Sequence, residues 1–287
     1  MLYVVEQVTH YQYESTVTSS INKCRMMPIQ DFEQRCLSYE LEVDPQTTVY
    51  HHQDYWHNPV QTFYIHVPHE ELRIVTRSVV RLSRQVPTES MAWSFRESLA
   101  LFGNRSFQGK YAEFLQTTAY TKLDQEAARQ VSEPIWQQSR HPLAFVKELN
   151  RYIYQHFSYE AGTSTVHSTA QDLWDKRKGV CQDFTHFMLA ICRYRGIPAR
   201  YVSGYVYCGE DAAMRGDSAT HAWVEVYIPG IGWVGFDPTN HKYAVNQHIR
   251  MAIGRDYLDI VPLKGVYEGG KQTLSVKVSI HLQQERG

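Results

Sequence analysis

The hydrophobic period of this chain changes near Pro87, and that change narrows which kinds of fold are open to it. Before Pro87, apolar and polar residues alternate as they do on a half-buried strand; in the stretch just beyond it, apolar residues recur every three or four positions, as on one side of a helix. Cys36 to Val43 alternates until Asp44-Pro45 stops it, and similar runs cover Leu2–Val5, Val8–Tyr13, Thr62–Val67 and Leu72–Val80, punctuated by Asn58-Pro59 and Pro68. Residues 1–85 are therefore expected to form an antiparallel β-sandwich with its own core. Residues 86–140 read as a connector of short helices, from the spacing of Ala112, Leu115 and Ala119 and then of Ala127, Ala128 and Val131.

Residues 141–287 mix both periods, so this half is expected to be α+β. Leu143, Val146, Leu149, Ile153 and Phe157 make a helical stripe, and Ser168 can cap a short helix carrying Leu173 and Trp174. A stronger helix follows Gly179, with Phe184, Phe187, Met188, Ile191 and Tyr194 on one face and Gly196 and Pro198 closing it. Strands are expected at 199–207, 221–228, 233–236 and 274–280, the middle two joined by a turn at Pro229-Gly230-Ile231-Gly232.

Charge and cysteine usage exclude several functions. The net charge of -1 offers nothing that would draw nucleic acid or an anionic membrane. No apolar run approaches bilayer length and no signal peptide is visible, so neither a membrane partner nor export is expected. Five cysteines without CxxC spacing argue against a disulfide framework and a zinc knuckle, which points to a reducing cytoplasm. His51, His52, Asp54 and His57 invite a metal reading, but their spacing fits no compact ligand set and they read as a solvated loop. No metal or cofactor is expected.

Cys181 falls in the first turn of the strong helix, where unpaired backbone N–H groups favour a thiolate. By itself this is permissive, since most free cysteines are small core residues. A nucleophilic thiolate needs an imidazole to move its proton, and the imidazole needs a carboxylate to orient it. His221 opens one expected strand and Asp237 ends its hairpin partner, so the hairpin would bring them alongside each other, with Cys181 left to dock against them. His186 is turned away from Cys181 on their shared helix, His241 follows Asp237 too closely, and Cys192 reads as core. Cys208 has no assigned role, Asp183 and Glu225 are expected to make structural hydrogen bonds, and Trp223 and Trp233 to form sheet core.

Three stretches carry a resemblance: Gly179-Val180-Cys181-Gln182-Asp183-Phe184 with Gly196 to Tyr205, Ser218 to Val226, and Gly232 to Asn240. In this order they resemble the core of the transglutaminase-like superfamily over roughly residues 145–282, and the amino-terminal part resembles the β domain preceding that core in bacterial members described as cysteine proteases. There the family tends to carry glycine where this chain has His57. The resemblance implies a papain-like or transglutaminase-like core with Cys181 as nucleophile, His221 as base and Asp237 as its orienter. It further implies acyl transfer from a peptide or protein amide through a thioester. The backbone N–H of Cys181 would serve the oxyanion, with a second donor from the Tyr159 hydroxyl, the Gln182 side chain or the Trp174 indole, Tyr159 being favoured. Hydrolysis is expected over transfer to an amine, and a non-catalytic binding module is a third reading. No calcium loop is evident.

Overall fold

A computed structural model describes residues 1–209, 215 and 220–283. Six strands open the chain: β1 (Leu2–Val17), β2 (Ser20–Cys24), β3 (Gln34–Asp44), β4 (Val49–Gln53), β5 (Pro59–Ile65) and β6 (His69–Leu82). On β1 the odd-numbered residues from Tyr3 to Tyr13 face the core. Val5, Phe63, Ile74 and Val80 close the same interior, each side chain contributing about 1.5–3 kcal/mol by leaving water.

Helices α1 (Phe95–Phe102), α2 (Arg105–Lys110), α3 (Ala112–Leu115), α4 (Gln125–Gln138) and α5 (Pro142–His156) follow. Beyond them come β7 (Ser158–Tyr159), α6 (Ala170–Lys176), β8 (Lys178–Gly179), α7 (Cys181–Tyr194), β9 (Ala199–Val206), β10 (Thr220–Ile228), β11 (Gly232–Asp237), β12 (Lys242–Tyr243) and β13 (His248–Gly254). Strands β9 to β13 form a five-stranded sheet in the order β12-β11-β10-β9-β13, and α7 lies across β10 and β9. Phe184, Phe187, Met188 and Ile191 are fully buried at that junction. Tyr194 is 42% exposed, so the apolar stripe ends a turn earlier than its spacing suggests. Thr169, not Ser168, caps α6, in a reciprocal pair with Asp172.

The boundaries between the parts differ from the expected ones. The last two strands, β14 (Leu263–Tyr267) and β15 (Gln272–Gln283), return to the first half of the chain, pairing with β2 and β1. The sandwich therefore consists of a β15-β1-β6-β3 sheet over a β14-β2-β5-β4 sheet, and the core unit ends before β14 rather than at residue 287. Its interior is also shared, because Tyr205, Ile249 and Met251 from β9 and β13 complete it. His51 and His52 lie on β4 and face solvent instead of sitting in a loop.

Candidate active site

Two backbone features aim Cys181. Gly179 is buried and pairs with Tyr159 across the short parallel β7-β8 ladder, which delivers the chain into α7. A Cβ at Gly179 would meet the Asp183 carboxylate at 2.6 Å, and that carboxylate is needed where it is: it accepts from the Val180 N–H at 2.8 Å. Val180 has no side-chain acceptor for the N–H groups of the first turn, and Asp183 supplies the other half of a capping box by taking the N–H of Val180. Cys181 thus becomes the first residue of α7, half-buried, at the helix end that favours negative charge.

The β10-β11 hairpin supplies the partners. Val224 lies opposite Phe236 and Ile228 opposite Gly232, so Asp237 ends β11 near the start of β10. His221 Nε2 lies 2.9 Å from Asp237 Oδ2, and both side chains are buried. The Asp237 contact leaves Nδ1 as the open ring nitrogen, and nearby Cys181 helps to raise the His221 pKa. On β9, Gly204 faces His221, where any side chain would strike the Trp223 ring and the Ile249 carbonyl.

Asp237 is held from all sides. Its Oδ1 accepts from the N–H groups of Thr239 (3.0 Å) and Asn240 (3.3 Å), while Oδ2 takes the Asn240 amide at 2.9 Å and His248 Nε2 at 3.2 Å as well as His221. Burial works to raise the Asp237 pKa, yet the neighbouring His221 and His248 hold it well below the ordinary carboxylate range. Burial works to lower His221, and Asp237 followed by Cys181 overcomes it, so His221 sits well above its ordinary value. The arrangement favours an imidazolium beside a carboxylate.

Two family matches cover most of the chain: the transglutaminase-like superfamily core over residues 129–238 and the bacterial transglutaminase-like N-terminal region over residues 3–81. An uncharacterized protein of Mycobacterium leprae is 36% identical over 95% of both chains. The chain belongs to the transglutaminase-like superfamily. A protein-glutamine gamma-glutamyltransferase of Pseudomonas aeruginosa is 31% identical over 47% of this chain and 22% of its own length. A solved structure from Cytophaga hutchinsonii, provisionally designated a cysteine protease, covers all of this chain and 92% of its own with a TM-score of 0.80 at 20% identity, which establishes a common fold.

Within this transglutaminase-like core, the other residues singled out in the sequence divide clearly. Tyr159 stands on β7 beside Gly179, its ring edge-on to Phe184 in the first turn of α7. The Gln182 amide donates to the Val166 carbonyl at 3.2 Å, and the Trp174 ring lies parallel to Phe187 and packs against the Arg177 guanidinium. His186 is fully buried between Tyr120 and Tyr201, and burial pushes its pKa down to about 3. Cys192 is fully buried, and burial pushes its thiol up to about 12. His241 stacks on Tyr154. Burial works to raise Glu225, but Arg200, Arg250 and Arg84 bring it down to about 2, so it anchors an ion network. Trp223 is fully buried beneath His221, and Trp233 packs half-buried under the Arg200 guanidinium. Ser218 and Ala219 of the His221 motif lie outside the described residues. His248 was missed; the alternation of Ile249, Met251 and Ile253 around Arg250 was the strand signal that could have placed it.

Proposed function

We propose that this protein is a thiol-dependent acyl-transfer enzyme that hydrolyses peptide or isopeptide amide bonds. The observation that carries this reading is the 2.9 Å contact between His221 Nε2 and Asp237 Oδ2, with the opposite ring nitrogen left for Cys181. With the Cys181 proton already transferred to His221 Nδ1, the sulfur bonds to the amide carbonyl carbon and the C=O π pair moves onto the oxygen. Collapse of the tetrahedral adduct breaks the C–N bond, and His221 returns the proton to the departing amine, leaving a thioester. Water, deprotonated by the same imidazole, then displaces the sulfur and releases the acid. Asp237 keeps the imidazole in the required tautomer and balances its charge. The N–H of Cys181 and the Tyr159 hydroxyl are proposed to receive the oxyanion, with the Gln182 amide and the Trp174 indole as the other candidates.

Water is favoured as acceptor because Cys181 is half-buried rather than enclosed, so its thioester meets solvent unless a bound substrate excludes it. Similarity to the Pseudomonas glutamyltransferase supports a second reading, transfer to an amine. Mass spectrometry after incubation with a peptide library, with and without added amine, separates the two: shortened peptides mean hydrolysis, and amine adducts mean transfer. If neither forms and iodoacetamide labels Cys181 no faster than buried Cys192, the protein is a binding module.

A further inference from the structure

Asp237 Oδ2 serves two imidazoles, His221 at 2.9 Å and His248 at 3.2 Å, and Cys181 acts on the first. We propose that His248 is a positioning residue, an uncharged Nε2–H donor that fixes the Asp237 carboxylate so that its other hydrogen bond can orient His221. The inference rests on the acyl-transfer reading above.

The tautomer follows from what surrounds the ring. His248 is 1% exposed, its Nδ1 has no hydrogen-bond partner among the described residues, and the buried Trp223 ring stands edge-on to it at 5.1 Å. With the proton on Nε2, the ring donates to a carboxylate and leaves an acceptor unsatisfied. With the proton on Nδ1, a buried N–H would be orphaned and a lone pair would face the carboxylate, which is worse on both counts. Among the described residues, the charged groups that act most on His248 are Asp237, His221 and Arg84. Burial, with His221 and Arg84, outweighs Asp237 and lowers its pKa, so it adds a donor without adding charge.

By distance alone His221, Asp237 and His248, with donor atoms all within 4.8 Å, would also suit a cation. A cation would need both Nε2 lone pairs and so force a proton onto His221 Nδ1, the nitrogen needed as base. The two uses exclude each other.

The backbone that carries His248 is fixed from the sandwich. Ile249 and Met251 insert into the sandwich core, and the Gln34 amide bonds both backbone groups of Arg250. This gives the amino-terminal domain a direct mechanical route to the aspartate.

The test needs no substrate. Iodoacetamide labelling of Cys181 is followed across pH in the wild-type protein and in His248→Leu and His248→Gln, each shown to be folded by circular dichroism. His248→Leu is expected to slow labelling by about tenfold, the scale of one lost hydrogen bond to a charged group, and to alter the pH profile. His248→Gln, which retains an N–H donor, is expected to recover most of the rate. A profile in His248→Leu identical to wild type overturns the proposal. Should the leucine variant not fold, nitrogen NMR of the wild-type imidazoles decides: an Nε2–H tautomer at His248 upholds it and an Nδ1–H tautomer overturns it. Wild-type labelling that ignores His221→Ala would instead sink the acyl-transfer reading itself.

Discussion

Gln34 pairs its side-chain amide with the backbone of Arg250 as a neighbouring strand would, donating to the carbonyl at 2.7 Å and accepting from the N–H at 2.8 Å. Three residues on, Asn58 does the same to Ile253, at 2.8 Å in both directions. Strand β13 is the edge of the core sheet, and two amides from the sandwich satisfy backbone groups that a further strand would otherwise pair. Gln34→Leu would leave the Arg250 N–H and the Ile29 carbonyl without the Gln34 amide, while the Arg250 carbonyl keeps the Ile29 N–H, and is expected to cost about 2 kcal/mol in urea denaturation. A loss indistinguishable from zero would mean that water replaces the amide there and that the clamp is dispensable.

His57 has a φ of +61°, in the left-handed region that costs a side-chain-bearing residue about 1–2 kcal/mol. Its turn is tied by Asp54, which accepts from the N–H groups of Trp56 and Asn58. His57→Gly is expected to raise stability by about 1 kcal/mol, the relief of strain exceeding the entropy cost of glycine. Thermal melting of the two proteins checks this, and a lower midpoint for the glycine variant refutes it.

At the site, Cys181→Ala is expected to abolish turnover while leaving unfolding within about 1 kcal/mol of wild type, because one half-buried sulfur is removed. Asp237→Ala should leave the nucleophile in place and lower the rate by about a thousandfold or more. Retained activity in the alanine variant at Cys181 would place the chemistry elsewhere.

Acid should destabilise the protein through His186. Its pKa is about 3 when folded against an ordinary 6.5, so the unfolded chain binds a proton that the folded one refuses. This contribution is complete above 6.5 and is lost as pH falls toward 3, at about 1.4 kcal/mol per pH unit. His186→Gln retains an acceptor for the Tyr257 N–H and does not titrate, so its stability should fall less steeply between those limits. Denaturation curves at several pH values compare the slopes, and parallel slopes would assign the acid sensitivity to other groups.

Strand period, the helix after Gly179 and the hairpin turn are local properties, and each was legible in the residues that form it. Apolar alternation made β3 and β6 visible, whereas β2, β4 and β14 are five residues each, with too few apolar positions to show a period. His221 and Asp237 could be paired because a single tight turn separates their strands, so adjacency followed from chain geometry.

The sequence by itself determined an α+β chain with a thiol at a helix start and an imidazole and a carboxylate on one hairpin, since those features depend on periods of two and of three to four residues and on one turn. Tertiary structure alone decided that β14 and β15 complete the first sandwich, and that His248 shares the oxygen of Asp237. Both depend on contacts between strands far apart in the chain, set by how much apolar surface each pairing removes from water, and no local period records that.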